Sequence, residues 1–202
     1  MPLYKNLILI LLMFTNSELF SFEEGVANNN NVEIYYRDYG PLDGDPILLV
    51  QGLGGQLINW PEHLIDFLID NNFRPIVFDN RDTGLSSRIS SDSFTDEKRG
   101  NTIIRSYIRY YLRLPIQSEY IIDDMANDAI SVLDELNIDK AHIIGASMGG
   151  MITQLLALDY PDRVLTITPI MSSPGVGDPE LSNMTPASVS YTHLTLPTIL
   201  RV

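Results

Sequence analysis

The stretch HIIGASMGGM, from His142 to Met151, decides the interpretation of this chain. Residues 145–149 form a G-x-S-x-G pattern, with a predicted strand before it and a predicted helix after it. In that context the pattern is typical of a nucleophile elbow, a sharp turn that raises a serine hydroxyl above the carboxyl ends of the strands. The alternative is a glycine-rich turn with an incidental serine. Its placement between two elements favours the elbow and makes Ser147 the candidate nucleophile.

An elbow sets requirements on the residues around its serine. Neighbouring chain segments come close, so we expect side chains no larger than hydrogen to fit at Gly145 and Gly149. The backbone amide of Met148 would lie at a helix amino terminus, where partial positive charge stabilises an oxyanion. Met148 is therefore a predicted oxyanion donor.

A second glycine-rich loop, residues 51–55 with the sequence QGLGG, follows an earlier predicted strand. The Leu53 amide is the candidate for a second oxyanion donor, because such a loop lets its backbone approach a ligand. A rival interpretation is a dinucleotide-binding fingerprint, with Gly52-x-Gly54 after a strand and Asp79 as the ribose-binding acid. The third glycine of that fingerprint is missing, since Leu57 occupies its position. The rival also leaves the serine elbow unexplained.

Strands and helices alternate along most of the chain. Residues 23–27 and 32–36 flank an asparagine run and predict a hairpin at the sheet's edge. Apolar runs predict buried strands at 46–50, 74–78, 141–144 and 164–170. Helical spacing is found in three sets: Trp60, Leu64, Phe67 and Leu68; Met125, Ala129, Val132, Leu133 and Leu136, preceded by Asp123 and Asp124; and residues 148–160, which Pro161 ends. These patterns predict an α/β fold, a mostly parallel sheet with helices on both faces.

Composition excludes several classes of protein. With 202 residues, 45% of them hydrophobic and 19% charged, the chain is expected to form one globular domain. A net charge of -13 argues against a nucleic-acid partner, whose phosphates require clustered lysine and arginine. The absence of cysteine removes disulfides and thiolate metal sites, and three histidines make a multi-histidine metal site unexpected. The oligomeric state cannot be read from these features.

Two segments have alternative interpretations. Residues 1–21 carry Lys5, a short apolar run and then small or polar residues, which favours a signal peptide over a buried first strand or an apolar tail. The run is too short to span a bilayer, and a signal peptide would place the protein in the periplasm or outside the cell, rather than in the cytoplasm. Residues 103–114 have apolar residues at helical spacing with arginines between them. They are interpreted as a surface helix with a basic face, in preference to a flap over a pocket.

Several motifs, in this order, resemble the α/β-hydrolase superfamily and specifically its aclacinomycin-methylesterase-like members. They are QGLGGQLINW, VFDNRDTGLS, YIIDDMANDAISVLDELNI, AHIIGASMGGMITQLLALDYPDRV and ITPIMSSPG, and the resemblance covers about residues 23–175. It implies the α/β-hydrolase fold and a serine hydrolase that cleaves a small carboxylic ester through an acyl-enzyme, without a cofactor or a metal. The alternative is a non-catalytic small-molecule-binding protein on the same fold.

Two loops bear on that resemblance. Many members have His-Gly where this chain has Gln51-Gly52, and since the expected donor is a backbone amide, the difference should tune the oxyanion hole without removing it. Residues 79–84, DNRDTG, resemble the family's structural loop beside the pocket. We expect their charges to pair with one another, in preference to a catalytic role.

The family's triad follows the chain order serine, acid, histidine, and the partners of Ser147 are not found in that order. His63 and His142 precede the serine and are interpreted as structural. His193 follows it, but residues 189–198, VSYTHLTLPT, match the translation of a transposon-type sequencing adapter. We interpret 188–202 as an artefactual tail, in preference to a β-rich terminal strand, and 22–187 as the amino-terminal part of a hydrolase domain.

This interpretation of the tail has consequences for the 202-residue chain. It would lack the triad acid and histidine and have little or no esterase activity. It would also be poorly soluble, because the last parallel strand would expose an unpaired edge. A longer clone in which VSYTHLTLPT continues into a folded cap and a catalytic histidine would contradict it.

Overall fold

A computed structural model of the protein describes residues 22–89, 112 and 119–173. The predicted signal peptide, the adapter-like tail and, apart from Leu112, the helix at 103–114 lie outside the described residues. Those three interpretations therefore stay predictions.

Six strands form a single sheet in the order β1-β2-β4-β3-β5-β6. In chain order their bounds are Glu23–Asn29, Val32–Asp38, Asp45–Val50, Phe73–Phe78, Ala141–Ala146 and Val164–Ile170. The first two strands form an antiparallel hairpin at the edge, and β2 pairs with β4 in the same antiparallel sense. The other three pairings are parallel. The predicted hairpin and mostly parallel sheet are confirmed.

Three helices cover the two faces of this sheet: α1 at Glu62–Asp70, α2 at Ile122–Glu135 and α3 at Met148–Asp159. Successive side chains of a strand point to opposite faces, and β3 is buried on both. Its Leu48 and Val50 pack in a cluster with residues of α2 and α3, whereas Ile47 and Leu49 pack with residues of α1. Helices therefore lie on both faces, as predicted.

The apolar pattern identifies the buried face of α2 correctly but not that of α1. In α2 the predicted Met125, Ala129, Val132 and Leu133 are all buried. In α1 the buried residues are Ile65 and Leu68, while the predicted Phe67 is 61% exposed. The prediction for Phe67 is wrong because the predicted set used Trp60, which lies outside the helix, and left out Ile65, which is buried. Residue 67 then falls almost opposite residue 65, at 100° per residue.

The carboxyl ends of β3, β4 and β5 meet at one edge of the sheet, because these strands are parallel neighbours. The loop after β3, the loop after β4 and the turn after β5 consequently lie side by side, at the edge where ligands bind in open α/β sheets. The neighbouring β6 is the last strand of the described sheet and is largely exposed. None of the helices formed by the described residues is long and apolar enough to cross a membrane.

Candidate active site

Ser147 forms the turn between β5 and α3. Its backbone has φ 56° and ψ -117°, a left-handed conformation that an L residue with a β-carbon rarely adopts. Its side chain is exposed at the end of the strand. The Ser147 N–H donates to the Ile170 carbonyl at 2.8 Å, so the end of β6 fixes the position of the turn. The predicted elbow geometry is present.

The two flanking glycines fit the close approach that such a turn requires. A β-carbon added at Gly145 would lie 2.2 Å from the Gly149 carbonyl oxygen and from Thr153 Oγ1. One added at Gly149 would lie 2.1 Å from the Val50 carbonyl oxygen. The expectation that only hydrogen fits at these positions is confirmed, and the tight contact seats α3 directly on β5 and β3.

The amide of Met148 opens α3, since Ser147 occupies the N-cap position. The Ser147 carbonyl accepts from the amides of Gly150 at 2.9 Å and Met151 at 3.3 Å, so the first turn of the helix is already closed there. The first amides of a helix have no acceptor within the helix and carry the positive end of its dipole. The Met148 N–H is therefore placed one residue from the serine as a potential anion donor.

The glycine-rich loop after β3 lies against the elbow. A β-carbon added at Gly52 would be 3.1 Å from Ser147 Cβ, 3.7 Å from Ser147 Oγ and 3.0 Å from the Ala146 carbonyl oxygen. The Gly55 N–H donates to the Gly52 carbonyl at 3.1 Å and makes the loop a turn. Since the C=O and N–H of a trans peptide point in opposite directions, this bond also sets the direction of the Leu53 N–H. The structure thus brings Ser147, Met148 and the Leu53 loop together.

Asp79 and Arg81 of the loop after β4 bind groups outside the loop or on the main chain, so the prediction that they pair with each other is wrong. Asp79 is buried, and its two carboxylate oxygens accept from the backbone amides of Leu57 at 2.7 Å and Leu85 at 2.9 Å. Arg81 instead forms a buried ion pair with Asp128 of α2, with Nε to Oδ2 at 2.6 Å. Both side chains are buried, and a buried charged group needs hydrogen-bond partners. Backbone amides supply them for Asp79, and a carboxylate of α2 supplies them for Arg81.

The ion pair with Asp128 stabilises the charged form of Arg81 although the side chain is buried. Burial by itself disfavours the guanidinium of Arg81, but its hydrogen bond to Asp128 and the charge of that carboxylate outweigh burial and raise the pKa of Arg81. Asn29 also donates to Asp128 Oδ1 at 2.8 Å. The pair therefore ties the first hairpin, the loop after β4 and α2 together, and it has a structural role.

One residue of this edge that the sequence pattern did not single out is Asn80. Its side-chain Nδ2 donates to the carbonyl oxygen of Gln51 at 3.0 Å, at the start of the glycine-rich loop. The available signal was a polar side chain directly after a buried strand. Asp79 occupies the neighbouring position, is buried, and accepts backbone amides on both carboxylate oxygens, which argues against the ribose-binding role of the rival dinucleotide interpretation.

The described histidines do not reach the serine. His142 precedes Ser147 by five residues on β5, about 16 Å at ~3.3 Å per residue, and its Nδ1 contacts Thr166 Oγ1 at 2.7 Å. His63 is exposed in the first turn of α1, and no hydrogen bond joins these two described residues, His63 and Ser147. His193 lies outside the described residues. Within the described ranges no group of three or more histidine, cysteine, aspartate or glutamate side chains could hold a metal ion.

Known proteins share this arrangement of elements. The family model described as alpha/beta hydrolase fold matches residues 45–191. Rhodomycin D methylesterase DnrP of Streptomyces peucetius is 32% identical over 156 residues, which are 77% of this chain and 40% of that protein. A putative carbamate hydrolase, RutD of Variovorax paradoxus, is 30% identical over 66% of this chain and 40% of its own length.

Solved structures agree on the fold. Epoxide hydrolase A from Mycobacterium thermoresistibile superposes with a TM-score of 0.56 at 23% identity, covering 74% of this chain and 39% of that one. A structure from work on carboxylesterases of Nitrososphaera gargenis gives a TM-score of 0.55 at 26% identity, covering 76% of this chain and 46% of that one. This chain thus spans about 40% of the length of the curated relatives it matches. By sequence and by fold, the chain belongs to the alpha/beta hydrolase fold family and resembles its methylesterase members.

Proposed function

We propose that the protein is a serine hydrolase that cleaves a carboxylic ester through an acyl-enzyme, with Ser147 as the nucleophile. The observation that carries the proposal is the backbone of Ser147, whose φ of 56° and ψ of -117° present an exposed side chain between a helix amino terminus and a glycine loop. Such a conformation costs about 1–3 kcal/mol and is retained where the surrounding structure makes use of it.

The reaction follows from the groups around this serine. Ser147 Oγ attacks the ester carbonyl carbon and transfers its proton to a base, while the carbonyl electrons move onto oxygen. The amides of Leu53 and Met148 donate to that oxyanion in the tetrahedral intermediate, and losing one such donor costs about 10²–10³ in rate. The intermediate collapses to an acyl-enzyme as the alcohol leaves with a proton, and water then hydrolyses the acyl group.

The relatives support this class of reaction. One is named a methylesterase and the other a putative carbamate hydrolase, and esters and carbamates both have a carbonyl carbon bonded to a heteroatom that can leave. An ester is favoured as the substrate here because the methylesterase match is longer and extends over 77% of the chain. A small molecule is the expected partner.

We infer that the base and its acid lie outside the described residues. The described histidines are engaged or exposed elsewhere, and the chain spans about 40% of the methylesterase's length. We therefore expect the 202-residue chain to be acylated slowly at best, because an unassisted serine is a weak nucleophile. A stoichiometric burst of alcohol from an activated ester with this chain would contradict that expectation.

Covalent labelling tests the nucleophile in the longer protein. A fluorophosphonate probe should label the wild type, and labelling should be lost in Ser147→Ala. Ser131→Ala, in the middle of α2, is the matched control and should be labelled like the wild type. A folded wild type that is never labelled, and that binds small esters without turnover, would replace this proposal with the non-catalytic binding protein on the same fold.

A further inference from the structure

We propose that Asn80 is a positioning residue of the oxyanion hole, acting through the carbonyl of Gln51. The inference rests on the proposed function, since the loop it holds carries the Leu53 amide. Asn80 follows β4 directly, is 1% exposed, and its Nδ2 donates to the Gln51 oxygen at 3.0 Å. Gln51 itself is the first residue after β3. The bond therefore joins the ends of two neighbouring parallel strands at the edge where the site lies.

The loop is held at both of its ends by consecutive residues. Asn80 binds the carbonyl of Gln51 at the start, and Asp79 Oδ1 accepts from the amide of Leu57 at 2.7 Å at the end. The segment between these two anchors contains Leu53 and the three glycines. Glycine-rich backbone has the largest conformational freedom to lose, so an ordered conformation needs such external restraints.

The Gln51 carbonyl is also in contact with the elbow. A β-carbon added at Gly149 would lie 2.8 Å from this oxygen, so the carbonyl sits between the Asn80 amide and the first turn of α3. One peptide further, the Gly52 carbonyl accepts from Gly55 at 3.1 Å. Because peptide units are planar, these two bonds fix the two consecutive planes that lead to the Leu53 N–H. Without the first bond, only the turn would orient that amide.

The chemistry of the side chain assigns its direction. The Gln51 carbonyl can only accept, so the nitrogen end of the Asn80 amide must face it. The other end, Oδ1, is buried and has no hydrogen-bond partner among the described residues. An apolar side chain would avoid leaving that oxygen unsatisfied but could not donate to Gln51. Asparagine therefore differs from an apolar residue at this position in one useful property, the N–H that it donates to the loop.

Amide hydrogen exchange tests the anchor in the 202-residue chain, independently of catalysis. Asn80→Asp keeps the shape and replaces the N–H donor by an oxygen that repels the Gln51 carbonyl when ionised. We expect the Gly55 amide, which donates to the Gly52 carbonyl at 3.1 Å, to exchange about tenfold faster, with α1 and α2 unchanged. Lowering the pH to protonate the new carboxyl should restore an O–H donor and the loop's protection, after correction for intrinsic exchange.

The matched control makes the same chemical change away from the loop. Asn71 Nδ2 donates to the Phe67 carbonyl at 2.7 Å at the end of α1, so Asn71→Asp also removes an amide donor to a backbone oxygen. It should leave exchange of the Gly55 amide unchanged. If Asn80→Asp also leaves that exchange unchanged, or changes it equally at every pH, the positioning role of Asn80 is overturned.

Kinetics of the longer protein test the catalytic consequence. A misplaced oxyanion donor weakens binding of the transition state more than that of the ester, so Asn80→Asp should lower kcat about 10- to 100-fold with KM within about twofold. A rise in KM at unchanged kcat would overturn the inference. A different result would overturn the proposed function: Asn80→Asp loses the protection of the loop, but the wild type is never acylated at Ser147. The oxyanion role of the loop would then fail with it.

Discussion

Replacing Ser147 by glycine should stabilise the fold relative to replacing it by alanine. Both changes remove the hydroxyl, so they differ only in the β-carbon. At φ 56° and ψ -117° that β-carbon is held in a conformation that only glycine adopts readily. The comparison therefore measures the backbone strain at the elbow without reference to any activity.

The size of the difference follows from two opposing effects. The strained backbone of a residue with a β-carbon costs about 1–3 kcal/mol, which glycine relieves. Glycine in turn gains freedom in the unfolded chain, which lowers stability by about 0.5–1 kcal/mol. The net expectation is that Ser147→Gly is more stable than Ser147→Ala by about 1 kcal/mol. For a chain of about this size, that corresponds to about 2–4 °C in Tm.

Urea denaturation of the two variants, followed by circular dichroism, gives the two free energies of unfolding. The matched control is Ser131, which lies inside α2 and whose hydroxyl donates to the Asp128 carbonyl at 2.7 Å. There the order should reverse, with Ser131→Gly about 1 kcal/mol less stable than Ser131→Ala, because glycine is a poor helix former. If glycine is less stable than alanine at both positions, Ser147 is not strained and the elbow argument fails.

Three further outcomes follow from contacts in the fold. Gly149→Ala would place a β-carbon 2.1 Å from the Val50 carbonyl oxygen. Because this oxygen belongs to the backbone and cannot move aside easily, we expect the free energy of unfolding to fall by at least about 3 kcal/mol in a urea titration. Gly54→Ala, whose β-carbon would meet no atom within 4 Å, should lower it by about 1 kcal/mol. Asp128→Ala leaves the buried Arg81 charge unpaired and should cost about 3–5 kcal/mol in the same assay, whereas Arg81→Met with Asp128→Leu should recover most of it. Burial, and next a hydrogen bond to Asp82, raises the pKa of Tyr120 above its ordinary value. The stability that this side chain contributes is therefore complete below pH ~10 and is lost as the pH rises further. Tyr120→Phe should reduce that alkaline fall in the free energy of unfolding, and the alkaline rise in absorbance at about 295 nm should lose the contribution of one tyrosine.

Local patterns were sufficient where one element determines its own structure. Apolar runs bounded by glycine or aspartate predicted β3 and β4. A strand that is buried on both faces has apolar residues at nearly every position, so it is recognisable as a continuous run. The stripe of α2 was correct because 14 residues give the helical period four turns in which to show itself. The nine-residue α1 is too short for its phase to be read without knowing where it starts, and Phe67 was misassigned for that reason.

The elbow was predictable because its requirements are confined to adjacent residues. Gly145, Ser147 and Gly149 are close in sequence and in space, so their spacing carries the geometry. Pairings across the fold were not predictable in this way. The partner of Arg81 is 47 residues away on α2, and the partner of Asn80 is 29 residues away on the preceding loop. Such partners depend on how strands and helices are arranged, which periodicity alone does not specify.

The hydrogen bonds that order the site loops also satisfy backbone groups that leave the sheet. At the carboxyl edge a carbonyl loses its ladder partner and, when buried, needs another donor. Gln51 receives one from the Asn80 side chain at 3.0 Å, and Asp79 receives one from the Ser86 hydroxyl at 2.6 Å. Both side-chain donors lie on the loop after β4, so this one loop orders its own start and the start of the glycine-rich loop. Apolar substitution at Asn80 or Ser86 should therefore disturb stability and site geometry together, because one bond serves both.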